Sequence, residues 1–187
     1  MKHLGNFLAF QAGWFSCVLG AANGAPWLGP IVVLLIVGWH LGKARRPGGE
    51  AILLGLAFLT GLLFDSLLLA SGWLSYPNGE WIPGLAPYWI VMMWPLFATT
   101  LNRSMRFLRD RMVLAMLLGA VGGPLSYLAG ERLGAVSLLN PQAVVAALGV
   151  AWGLFTPLLM IAAARLDGFS HNDSLPYIQR HWGNTRA

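Results

Sequence analysis

Of 187 residues, 57% are hydrophobic and only 10% are charged. A soluble domain carries about 25% charged residues, so this chain has too few to cover a water-facing surface, and a free-standing soluble enzyme is excluded. The net charge of +5 would suit a nucleic-acid partner, but the positions of the cations give it a different cause, set out below.

Six apolar segments follow one another: Leu4 to Ala22, Trp27 to Leu41, Ala51 to Leu74, Leu85 to Leu101, Met112 to Gly130 and Ala143 to Ala164. Breakers separate them, including Asn23-Gly24-Ala25-Pro26, Pro77-Asn78-Gly79 and Asn140-Pro141. About 20 apolar residues at 1.5 Å each span a hydrocarbon core; the second segment is short for that. The pattern predicts an all-α, polytopic membrane helix bundle of six spans. One domain covers residues 1–166, and a polar, loosely ordered tail covers 167–187. The nine Trp suit two membrane interfaces, where indole rings collect.

With the N-terminus inside, Lys2, Lys43, Arg45, Arg46, Arg103, Arg106, Arg109, Arg111, Arg165, Arg180 and Arg186 all fall on the cytoplasmic side, and Arg132 alone falls outside. A positive-inside bias this lopsided predicts six crossings with both termini cytoplasmic, because one helix more or fewer would scramble it. The basic character is therefore topological, and it brings attraction to anionic lipid headgroups with it. The first segment has the look of a signal peptide, with Lys2 before it and Gly20-Ala21-Ala22 near its end. However, Asn6 and Gln11 interrupt it, and Phe7, Phe10, Trp14 and Phe15 read as packing residues, which favours its retention. Cys17 reads as a small buried hydrophobe.

Small residues mark the faces that meet other helices. They fall in stripes at Gly13, Cys17, Gly20 and Gly24, at Gly61, Asp65, Leu68 and Gly72, and at Ala115, Gly119, Gly122, Ser126 and Gly130. Asp65, with Ser66 beside it, stands in an otherwise apolar span, where an ionisable group costs a few kcal/mol and needs a partner or a task. It lies about 20 Å from the cytoplasmic end of its segment. Pro124, Ser126 and Tyr127 of the fifth segment come out level with it, and Gly122-Gly123-Pro124 is expected to distort that helix. This predicts an intramembrane polar site of Asp65, Ser66, Pro124, Ser126 and Tyr127. Asp65 there either makes a structural hydrogen bond or serves a substrate or proton. A second polar level near the inner leaflet gathers Asn6, Gln11, Thr99, Thr100 and Asn102 beside Arg103 and Ser104. Its amides either cap and glue helices or, with Arg103 and Arg106, hold a lipid headgroup.

Catalytic signatures are missing: there is no G-x-S-x-G, P-loop, dinucleotide fingerprint or C-x-x-C. His3, His40, His171 and His181 have no i, i+3 or i, i+4 spacing, so neither a metal nor a cofactor is implied. Asp167 and Asp173 fall in the tail with two of these histidines.

Asn6-Phe7-Leu8-Ala9-Phe10-Gln11-Ala12-Gly13-Trp14-Phe15 resembles the opening of a family of small bacterial inner-membrane proteins of unknown function. Asp65-Ser66, Phe97-Ala98-Thr99-Thr100-Leu101-Asn102 and Gly122 through Gly130 resemble that family too, over roughly Asn6 to Val136. The resemblance implies that the first segment stays in the mature protein. It also implies company with lipid-modifying enzymes, such as those acting on unsaturated acyl chains. No activity is established for the family, so no catalytic residue carries over. The expectation is an inner-membrane protein that binds or helps process a membrane lipid or amphipathic molecule. The alternatives are a small proton-coupled transporter, which would have to oligomerise, and a non-catalytic scaffold for lipid-modifying enzymes.

Overall fold

The computed structural model describes residues 2–170. Six helices form, one in each apolar segment: α1 (Lys2–Ala22), α2 (Leu28–Lys43), α3 (Pro47–Ala70), α4 (Tyr88–Leu101), α5 (Met112–Arg132) and α6 (Pro141–Arg165). Four of them, α1, α3, α5 and α6, are long and apolar enough to cross a membrane. At 1.5 Å per residue α2 and α4 reach only about 24 and 21 Å. Each of α4's faces is covered: Trp89, Val91, Trp94, Leu96, Ala98 and Leu101 are all buried. A helix enclosed by protein meets little lipid, and its length is set by its neighbours rather than by a bilayer.

Successive helices run in opposite directions, so every other loop lies at the same end. At one end His3 Nδ1 of α1 lies 2.9 Å from the Arg103 carbonyl after α4, and His40 at the end of α2 meets Glu50 at the start of α3. At the other end the β1 pair (Leu74–Ser75) aligns antiparallel with β2 (Ser137–Leu138), and Asn78 donates to the Ala21 carbonyl at 2.9 Å. All the described Lys and Arg lie at or beyond the first of these ends except Arg132, at the last turn of α5. We refer to them as the basic end and the far end.

Helix starts follow local chemistry. Asn140 caps α6 by accepting from the Ala143 N–H, with Pro141 at the first position. Pro47 likewise opens α3, four residues ahead of the expected Ala51. That extension puts Glu50 on the first helical turn, turned inward, rather than in a loop. Around Gly122-Gly123-Pro124, where distortion is expected, α5 continues as one helix through the buried Pro124. Gly149 of α6 leaves room there for the Ala120 carbonyl, which has lost its N–H partner to the proline ring.

Close approaches occur where the small-residue stripes predict them. Any side chain on Gly29 of α2 would collide with Cys17 of α1, and one on Gly119 or Gly123 of α5 would collide with Trp152 or Thr156 of α6. Gly24 and Gly72 depart from their stripes: with φ of 73° and 70° they make the turns that end α1 and α3. The outside of the bundle is apolar. Leu35, Leu67, Val113 and Val150 are each about 70% exposed, an exposure that water does not tolerate over so large an area.

Candidate functional site

Asp65 is completely buried. Its Oδ2 accepts from Trp94 Nε1 of α4 at 2.8 Å, and its Oδ1 accepts from the Tyr127 hydroxyl of α5. The carboxylate thus ties three helices together with both oxygens occupied. Gly61, one turn before Asp65, makes the space: any side chain there would overlap the Trp94 indole. Trp94 in turn stacks on Trp152 of α6, with ring centroids 4.5 Å apart. The Tyr76 hydroxyl is buried close by, beside the Tyr127 hydroxyl.

Of the five residues expected at this level, only Asp65 and Tyr127 join. Ser66 accepts from the Ala86 N–H at 2.9 Å and so anchors the approach to α4. Ser126 donates back to the Gly122 carbonyl of its own helix at 2.9 Å, and Pro124 packs against α6. Sequence reasoning missed Trp94. Its signal was indirect: a glycine one turn from a buried acid reserves room for a large donor.

Against this knot lies a cavity of about 280 Å³. It lies between α1 and α5, with α4 and α6 completing its walls. Phe10 and Trp14 face Gly119, Gly122, Ser126 and Tyr127 across it, and Met93, Trp94, Phe97 and Met105 run along its length toward the basic end. Trp152 and Thr156 complete the wall, and no charged side chain contributes. Asp65 itself does not line it, but both of its donors do. Gly122 leaves open space on this wall, since a methyl there would meet nothing within 4 Å.

At the basic end the expected single polar level is two separate networks. In the first, Asn6 donates to the Thr99 carbonyl at 3.2 Å and accepts from the Ser104 hydroxyl at 2.8 Å, which fixes α1 to the end of α4. Thr99 and Thr100 spend their hydroxyls on Leu96 and Phe97 carbonyls, and the Gln11 side chain makes no hydrogen bond among the described residues. Asn102 belongs to the second network. It donates to Glu50 Oε1 at 2.8 Å and accepts from Arg109 at 2.7 Å, while Glu50 Oε2 lies 2.8 Å from His40 Nε2. Glu50 and His40 are both buried.

The first residues past α6 complete this second network, so the expected loose tail is ordered at its start. Gly168 donates its N–H to Glu50, and its carbonyl accepts from the Arg45 and Arg46 N–H groups. Asp167 pairs with Arg109 at 2.9 Å and Arg106 at 3.3 Å, and its other oxygen accepts from the Phe169 and Ser170 N–H groups. Burial raises the Asp167 pKa, but the Phe169 N–H and the two guanidinium groups outweigh it and hold the carboxyl below its usual range. Arg103, expected beside a headgroup, instead lies over the Phe169 ring, 4.4 Å from its centroid. Among the described residues no three His, Cys, Asp or Glu are grouped to hold a metal. His171, Asp173 and His181 lie outside the described residues.

A family model described as "Protein of unknown function (DUF2878)" matches residues 3–158. No curated protein matches the chain, and no solved structure does.

Proposed function

The chain belongs to this family of unknown function, and we propose that it is a multi-pass membrane protein that holds the hydrocarbon portion of a membrane lipid between α1 and α5. One observation carries the reading: a cavity of about 280 Å³ with an almost wholly apolar wall, set in a helix bundle whose outside is itself apolar. Small-molecule sites have this makeup, apolar and aromatic walls with a few placed polar groups, and run from roughly 300 Å³ upward. In this reading Asp65 is a positioning residue: it fixes the Trp94 and Tyr127 rings that form the wall. With both oxygens already bonded, it is not a proton carrier awaiting a partner, so the lipid reading is preferred to proton-coupled transport. The basic end faces the cytoplasm of a bacterial inner membrane, with six crossings.

The test is direct. Trp14, Trp94 and Trp152 line the cavity, so a brominated long-chain lipid seated there quenches tryptophan fluorescence of the detergent-purified protein saturably. Gly122→Leu fills the space and abolishes the saturable part without lowering the thermal midpoint. Linear, non-saturable quenching in the wild type, equal to that of Gly122→Leu, overturns the reading.

A further inference from the structure

Resting on that reading, we propose that the ligand is an uncharged lipid bearing a hydrogen-bond-accepting carbonyl, and that this carbonyl sits beside Trp152 and Thr156. Trp152 Nε1 and Thr156 Oγ1 are buried without a partner among the described residues, and both residues belong to the cavity wall. Buried donors left unpaired are rare, because each forfeits its hydration with nothing in return. Two of them lie in neighbouring turns of α6, on residues of the same cavity wall, so both can donate to one acceptor that enters there.

The rest of the wall defines that acceptor's charge. No Lys, Arg or His borders the cavity, so a carboxylate or phosphate there would be an uncompensated buried anion. The other hydroxyls of the wall are already spent: Tyr127 donates to Asp65, and Ser126 donates to Gly122. An indole N–H and a hydroxyl can satisfy a neutral ester or ketone oxygen, which has two lone pairs. The aromatic and methionine walls from Met93 to Met105 then take the chain.

The experiment uses the purified full chain in detergent with three probes sharing one brominated chain length: the methyl ester, the free acid at neutral pH and the alkane. The ester is expected to quench at about 25-fold lower concentration than the alkane, the yield of roughly two net hydrogen bonds. The acid is expected to bind more weakly than the ester. Trp152→Phe and Thr156→Val each cut that advantage to about fivefold, and together they bring the ester to the alkane's level. Both variants keep the alkane response, which shows that they are folded and that Trp14 and Trp94 still report. Equal binding of ester and alkane overturns the carbonyl assignment while leaving the lipid cavity standing, as does an acid that outcompetes the ester or a preference that survives both substitutions. Saturable binding of none of the three overturns the cavity reading, and this inference with it.

Discussion

Glu50, on the first turn of α3, accepts a 2.8 Å hydrogen bond from the backbone N–H of Gly168, just beyond the end of α6. The same carboxylate takes Asn102 Nδ2 and faces His40, so one buried acid joins the ends of α2, α3, α4 and α6. Glu50→Ala would leave three buried groups without their acceptor. Removing one member of such a buried charged network costs about 3–5 kcal/mol. Thermal unfolding of the detergent-purified protein checks this, and truncation after Arg165, which removes Asp167 and Gly168, is expected to lower the midpoint in the same direction. A truncated protein as stable as the full chain would mean that the contact is incidental.

Asp167 makes stability depend on pH in one window. Its carboxyl is held below its usual range in the folded protein, against about 3.9 when unfolded. A depressed folded value stabilises fully above the unfolded pKa, and the contribution is lost as pH falls through the folded one. Asp167→Asn, which keeps the oxygen that accepts from Phe169 and Ser170, should therefore be less stable than wild type at neutral pH. The gap should close below about pH 4. Because the Arg106 side chain is 42% exposed, part of the gap should also close in high salt. A gap unchanged by acid would assign the effect to geometry rather than charge.

The helices were legible because apolar runs and breakers act locally, and their alternation was legible because all the described cations but Arg132 gather at one end of the bundle. The pairing of Asp65 with Tyr127 followed from depth, since two residues at equal height on inward faces must meet something polar. Trp94 was not legible: an indole in an apolar segment reads as bulk or as an interface anchor until its neighbour is known. Glu50 was hidden for a different reason. Lying among Gly48, Gly49 and the basic loop, it reads as a solvated residue, and only the helix starting at Pro47 turns it inward. Asp167 misled in the same way, because nothing local says that a polar residue after a span will fold back onto two arginines.

The knot around Asp65 separates charge from hydrogen bonding. In Asp65→Asn, the amide oxygen can accept from Trp94 Nε1 while its NH2 donates to the Tyr127 oxygen, and the Tyr127 O–H turns to the neighbouring Tyr76 hydroxyl. The expected cost is below about 1 kcal/mol. Asp65→Leu strands both donors, at about 1–3 kcal/mol each. Melting both variants in detergent distinguishes the cases. Should Asn prove as damaging as Leu, the negative charge itself is needed. If neither variant altered the membrane lipid profile of cells while both accumulated normally, the wall formed by Trp94 and Tyr127 would have no part in lipid handling.

Two glycines of α3 should respond oppositely to the same substitution. A methyl at Gly61 would fall within the Trp94 ring and push the indole off Asp65, whereas one at Gly55 meets nothing within 4 Å. Gly61→Ala is expected to destabilise by about 1–3 kcal/mol through overpacking, and to shift the tryptophan emission by disturbing the Trp94–Trp152 stack. Gly55→Ala removes only the flexibility of glycine from a helix interior and should stabilise by about 0.5–1 kcal/mol. Equal effects at both sites would show that α3 and α4 do not approach as closely as Gly61 permits.

The alternation of the helices makes a prediction about sidedness. Asp110, in the loop between α4 and α5, and Arg132, at the opposite end of α5, are both exposed, and the helix between them is 21 residues long, about 31 Å at 1.5 Å per residue. That length matches a hydrocarbon core of about 30 Å, so the two positions should lie on opposite faces of the membrane. The single cysteine, Cys17, is fully buried against Gly29, and Cys17→Ala gives a background without thiols at little cost in packing. Placed in that background, Asp110→Cys should react with a membrane-impermeant maleimide only after the cytoplasmic face is opened, and Arg132→Cys should react in intact, outer-membrane-permeabilised cells. The cations dictate this order, since moving the basic end outward would carry nearly every Lys and Arg across the bilayer against the positive-inside bias. Labelling of both cysteines from one side would mean that α5 does not cross, and the cavity between α1 and α5 would then lie outside the hydrocarbon region.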